Sequence, residues 1–193
     1  MRTNLGASPL FVSSLSEARE SLSQWQRYGA NGMGYCIGFE PWALSDAIAV
    51  LESGSLQKIW YGPNQQRDAI RSVLHSSVVT GFDEQEIQAN LEQIAFQMKS
   101  PVFADEKEWR LVCAPRQNPP SMSHNIKVPY LSPFITLRFG NNDDNQRGPS
   151  VAAVICGPRL DHAMASTSIR TFLDAQGYTT TSVLRSVIAD TWR

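Results

Sequence analysis

The chain is poor in the residues that usually make a protein's chemistry easy to read. It has three cysteines and three histidines in 193 positions. Cys36, Cys113 and Cys156 stand far apart, each inside an apolar stretch, and they form no CxxC, no zinc spacing and no disulfide framework. That pattern predicts buried free thiols in a reducing, cytoplasmic compartment. His75, His124 and His162 are equally scattered, and nothing in their spacing points to a metal. Lysine is scarce, at four against thirteen arginines, and 17 basic residues against 18 acidic ones leave a net charge of −1. That balance argues against a protein that coats duplex nucleic acid through many phosphate contacts. No run reaches the ~18 apolar residues of a membrane helix, so no membrane partner is expected. The N-terminal MRTNLGASPLFVSSLSE lacks the long apolar segment of a signal peptide. A GxSxG elbow, a GxGxxG at a strand-to-helix junction and a Walker lysine are also missing, which removes common serine-hydrolase and nucleotide-binding patterns.

What is there is enough for a core. The hydrophobic fraction is 42% and the charged fraction 18%, as in one ordinary folded domain spanning residues 1–193. The pattern predicts a strand at Leu10–Ser14, a helix after Ser16 carrying Leu22, Trp25 and Tyr28, and a turn at ANGMG. A strand at GYCIGFEPW follows, then a helix over ALSDAIAVLESG closed by Gly54, and a strand at LQKIWYG. Two helices are expected at Gln65–Val79 and Glu84–Lys99, the second opened by a capping box from Asp83 to Glu86. Strands dominate afterwards: EWRLVCA, HNIKVPY, FITLRFG and VAAVICGP, with a polar GNNDDNQRGPS loop between the last two. A helix at Ser166–Ala175 and a strand at TTSVLRSVI close the chain. Helices and strands mix without regular βαβ alternation, so the expected class is α+β.

Three features could carry chemistry. The first is Glu106-Lys107-Glu108. Nine glutamates would produce fewer than one Glu-x-Glu spacing by chance, yet there are two. Glu84-Gln85-Glu86 lies in the first turn of a helix, where acidic groups favour the dipole. Glu106 and Glu108 enter a strand instead, where they share a face with Arg110 while Trp109, Leu111 and Cys113 face the core. That face is either solvated, with a surface ion pair, or a wall on which paired carboxylates work. The second feature is the serine run, with Ser14 and Ser16 on one strand face and Ser16 also a candidate helix N-cap. The third is the glycine-rich WQRYGANGMGYCIGF, whose default reading is a hairpin with Trp25 and Tyr28 in a core stripe.

In chain order, FVSSLSE, SQWQRYG, NGMGYCIGF, KIWY, FADEKEWRLV, VAAVICGP and SVLRSVIADTWR resemble the bacterial domain of unknown function 2971 family. That family in turn resembles a divergent ADP-ribosyltransferase. The resemblance implies a mixed or antiparallel split β-sheet flanked by helices, with NAD as a substrate gripped in the cleft. It implies Glu108 as the catalytic glutamate and Glu106 as the first acidic position. Ser14 and Ser16 would form the serine strand, with Trp25 or Tyr28 packing near nicotinamide. A carboxylate there would stabilise the positive charge that develops on the ribose. The strand that would supply an upstream arginine is missing from the match, leaving Arg2, Arg27 or Arg110 as substitutes. The implied activity is ADP-ribose transfer to a protein or nucleic acid, as in toxins and anti-phage effectors, which can have an antitoxin or partner protein. Two rivals remain: an inactive interaction module of the same fold, and a metal-dependent hydrolase or nuclease using the two glutamates.

Overall fold

The structure is a computed structural model, and it describes residues 10–49, 51, 54–113, 122–127, 130–137 and 150–192. In chain order the elements are β1 (Phe11–Ser16), α1 (Leu22–Arg27), β2 (Tyr35–Phe39), α2 (Pro41–Ala49), β3 (Gly54–Lys58), α3 (Pro63–Thr80) and α4 (Glu84–Ala95). They continue with β4 (Glu108–Cys113), β5 (Met122–Lys127), β6 (Tyr130–Ile135), β7 (Val151–Cys156), α5 (His162–Ala175) and β8 (Ser182–Arg185). Single 3-10 turns stand at Ala30–Gly32 and Pro101–Glu106. The α+β class expected from the sequence is what forms. No described helix is long and apolar enough to cross a membrane.

The described residues fall into two compact units, one drawn from the segments 1–18 and 53–114, the other from 19–52 and 115–193. The first unit is built on an antiparallel sheet in the order β1-β4-β3. Its central strand, β4, buries Leu111, Val112 and Cys113. Both faces of β4 are therefore covered, whereas the sequence reading gave it one core face. Helices α3 and α4 pack on each other within this unit. The α4 start is the predicted capping box, with Asp83 Oδ1 accepting from Glu86 N at 2.9 Å and Glu86 Oε2 accepting from Asp83 N at 3.0 Å. Gly81, in the left-handed region at φ 72°, ends α3, a position where a residue without Cβ carries no steric cost.

The second unit contains a mixed sheet in the order β2-β7-β8 and a separate β5-β6 hairpin. The apolar run VAAVIC becomes β7, antiparallel to β2 and parallel to β8, and buries Val154, Ile155 and Cys156. The crossover between the parallel strands is α5, capped by Asp161, whose Oδ1 accepts from Met164 N.

Several expected boundaries move. Helix α1 is only six residues long and its N-cap position is Ser21, not Ser16, because β1 runs on through Ser16. Helix α2 stops at Ala49, and Gly54 opens β3 rather than closing the helix. The predicted strand HNIKVPY is divided between β5 and β6. Most of GNNDDNQRGPS, the end of FITLRFG and Arg2 lie outside the described residues.

Candidate functional site

Strand β1 pairs with β4 so that Ser14 lies opposite Arg110 and Ser16 opposite Glu108. Ser14, Ser16, Glu108 and Arg110 therefore share one sheet face, and Ser14 and Glu108 are diagonal neighbours within side-chain reach. The Ser14 hydroxyl donates to Glu108 Oε1 at 2.6 Å. Ser16 donates to the backbone carbonyl of Glu106 at 2.6 Å and accepts from Ala18 N at 2.9 Å. The two serines thus hold the two glutamate positions, one by its carboxylate and the other by its main chain.

The glutamates meet by a different route from the strand alternation expected for EKEWRLVC. Glu106 is the last residue of the 3-10 turn, β4 begins only at Glu108, and Lys107 between them sits in the left-handed region at φ 43°, ψ 49°. Both carboxylates nevertheless converge on one ammonium. Lys99 Nζ donates to Glu106 Oε2 at 2.5 Å and to Glu108 Oε2 at 2.8 Å. Its charge also lies 5.1 Å from the centroid of the Phe103 ring, within cation–π range.

Lys99 is in place because the chain leaves α4 earlier than its hydrophobic spacing predicts. Met98 forms a parallel bridge with Trp60 instead of extending the helix, and Lys99 N donates to Trp60 O at 3.2 Å. From α3, the Gln66 side-chain amide donates to both Trp60 O and Lys99 O, at 2.6 and 2.8 Å. Arg110 supplies the second cation. Its Nε donates to Glu108 Oε1 at 2.8 Å, and its Nη1 donates to Phe96 O, at the end of α4, at 2.6 Å. A cation there also complements the helix dipole. Finally, the Tyr61 hydroxyl accepts the Glu108 backbone N–H at 2.9 Å.

Glu106 and Glu108 are each only 4% exposed, so the solvated-face reading of this pair is overturned. Burial is the largest influence on Glu108 and pushes its pKa upward. The hydrogen bonds from Arg110, Lys99 and Ser14 together outweigh it and hold the carboxyl at about 2. Lys99 is pushed down by its own burial, but its bonds to Glu106 and Glu108 leave its pKa raised. Two carboxylates, one ammonium and one guanidinium sum to zero charge, which makes the burial tolerable. At neutral pH Glu108 is an anion with every oxygen engaged. It is suited to stabilising positive charge and not to donating a proton.

Of the remaining expected site residues, Trp25 is buried in the second unit at 4% exposure, as a core stripe predicts, while Tyr28 is 70% exposed. The sequence reading missed Lys99, Tyr61 and Gln66. Lys99 carried only a faint signal, as one of four lysines, flanked by the apolar AFQM and SPVF.

Residues 24–111 match the family model described as Protein of unknown function (DUF2971). That span holds Lys99, Glu106, Glu108 and Arg110 but begins after Ser14 and Ser16. No curated protein matches the chain, and no solved structure does.

Proposed function

We propose that the chain acts on NAD as an ADP-ribosyltransferase, with Glu108 as the charge-stabilising carboxylate. The observation that carries this reading is the Ser14–Glu108 hydrogen bond of 2.6 Å on a carboxylate held ionised at about 2. In the proposed reaction the bond between nicotinamide and ribose breaks, its electron pair leaves with nicotinamide, and positive charge develops on the ribose carbon. A fixed, partly desolvated anion lowers the energy of that charge without reorganising. A nucleophile of a macromolecular acceptor then bonds to the carbon and releases a proton. Ser14 acts through Glu108 as a positioning residue, Glu106 through Lys99, and Ser16 through the Glu106 main chain. A toxin or anti-phage role and a cognate antitoxin belong to this reading alone.

The test is nicotinamide release from NAD by the wild-type protein and by Glu108→Gln, with cell lysate supplying acceptors. Loss of a transition-state contact lowers turnover by ~10²–10³-fold while NAD binding changes little. The reading fails if neither protein releases nicotinamide and NAD leaves the melting temperature of both unchanged.

One observation favours a second reading, an interaction module of the same family without NAD chemistry. Lys99 and Arg110 already neutralise both carboxylates, so the cluster is complete as a lock between β1, β4 and the end of α4. This reading predicts that Glu108→Gln alters stability alone and that a partner protein co-purifies from cells.

A further inference from the structure

In the second unit a strained turn and an arginine with no counter-ion among the described residues meet at a pocket. Ala30, Asn31 and Gly32 have φ of 48°, 52° and 82°. Asparagine tolerates left-handed backbone, but at Ala30 it persists only where the surroundings impose it, and such strain concentrates at functional sites. Here the imposing contacts are visible. Gly157 N donates to Gly34 O and Arg159 N to Gly32 O, both at 3.0 Å. Gly32 is buried, and a Cβ on it would lie 3.1 Å from Arg159 Cγ and 3.2 Å from both Pro158 Cγ and Trp192 Cζ2. The missing side chain lets these three residues close over the turn.

Beside the turn is a pocket of about 620 Å³, whose walls include Gln26, Asn31, Arg159, Thr191 and Trp192. Small-molecule sites are typically of this size. None of the lining residues is acidic. Arg159 makes no ion pair with a described residue, and its one guanidinium hydrogen bond among the described residues is a long one of 3.4 Å to Asn31 O. The walls thus offer a guanidinium with no ion pair among the described residues, two side-chain amides and an indole.

We propose that this pocket binds a small phosphate monoester bearing a flat ring. The guanidinium fork matches two phosphate oxygens. The amide groups of Gln26 and Asn31 supply donors for the third oxygen, which a carboxylate does not have. The indole of Trp192 offers the ring a face to pack on. The pocket lies wholly in the second unit, and this assignment does not depend on Glu108 chemistry.

The probe is phenyl phosphate, titrated into the full chain with tryptophan fluorescence as the readout, beside benzoate and inorganic phosphate. Phenyl phosphate is expected to change the fluorescence saturably and to bind at least tenfold more tightly than either of the others. Arg159→Gln is expected to weaken it at least tenfold, with Arg159→Lys failing to restore it. Trp192→Phe should remove most of the fluorescence change. Arg159 is exposed, so unchanged melting temperatures for its variants separate lost binding from lost folding. Equal binding by wild type and Arg159→Gln, equal affinity for benzoate, or no saturable response to phenyl phosphate would each overturn the assignment.

Discussion

Ser14 stands opposite Arg110 in the β1–β4 ladder, yet its hydroxyl bonds diagonally to the carboxylate of Glu108, two residues earlier on β4. Arg110 turns back along its own strand to the same oxygen, Glu108 Oε1. A neutral donor from the edge strand and a charged donor from the central strand thus share one acceptor. Hydrogen bonds to charged groups contribute about 1.5–3 kcal/mol. Ser14→Ala should therefore lower unfolding free energy by about 1–2 kcal/mol in urea, because β1 is an edge strand and water can replace part of the lost bond. Removing this donor should also raise the Glu108 pKa, which a carbon-13 carboxyl titration would read.

The same carboxylate gives the protein an acid-sensitive stability. Its folded-state pKa, about 2, lies below the 4.5 of an unperturbed glutamate. The unfolded chain therefore takes up the proton first as pH falls. The stabilisation is complete above about pH 5 and is lost progressively as pH approaches 2, and it amounts to on the order of 3 kcal/mol. Urea midpoints measured between pH 7 and 3 should fall steeply below pH 5. In Glu108→Gln that part of the slope should vanish, and an unchanged slope would show that other carboxyls carry it.

Lys99 ties both glutamates to the end of α4, so its loss should be felt at two carboxylates together. Lys99→Met keeps the stem but removes the ammonium that bridges the two carboxylates, so Glu108 keeps its pair with Arg110 while the link to Glu106 is lost. Breaking a buried pair by removing one partner costs about 3–5 kcal/mol. Adding Glu106→Gln to that variant removes the carboxylate that Lys99 held and should cost less than the two single losses summed, a coupling that a double-mutant cycle measures directly. Additive effects of the two substitutions would show that Lys99 and Glu106 do not share an interaction in solution.

Local signals were legible where one element's own residues decide the outcome. The Asp83–Glu86 box and the apolar β7 run formed as their residue types require. Ser14 and Ser16 were also placed on one face by simple alternation. The failures lie where a distant segment decides. Leu91, Ile94 and Met98 keep helical spacing, but pairing with Trp60 draws Met98 out of the helix, and no local pattern marks that competition. Lys99 was therefore read as the end of a helix and not as the cation between two glutamates. Trp109, Leu111 and Cys113 suggested one buried face of β4, while Glu108 on the other face is held by Arg110 of its own strand together with Ser14 from β1 and Lys99 from beyond α4.

The meeting of Glu106 and Glu108 depends on Lys107, whose left-handed backbone turns the chain from the 3-10 turn into β4. The Lys107 carbonyl accepts from Glu17 N at 3.1 Å, so the bend is fixed by main-chain pairing with the end of the edge strand. A residue with a Cβ carries a cost of about 1–2 kcal/mol in this region, and glycine removes it while adding some unfolded-state entropy. Lys107→Gly should accordingly stabilise the protein by about 0.5–1 kcal/mol in urea, despite removing a charge. Lys107→Val, β-branched and poorly suited to positive φ, should destabilise it and, by disturbing the bend, weaken the coupling between Lys99 and Glu106. Equal midpoints for the glycine and valine variants would mean that the backbone at 107 is not left-handed in solution and that the two carboxylates meet by strand alternation after all.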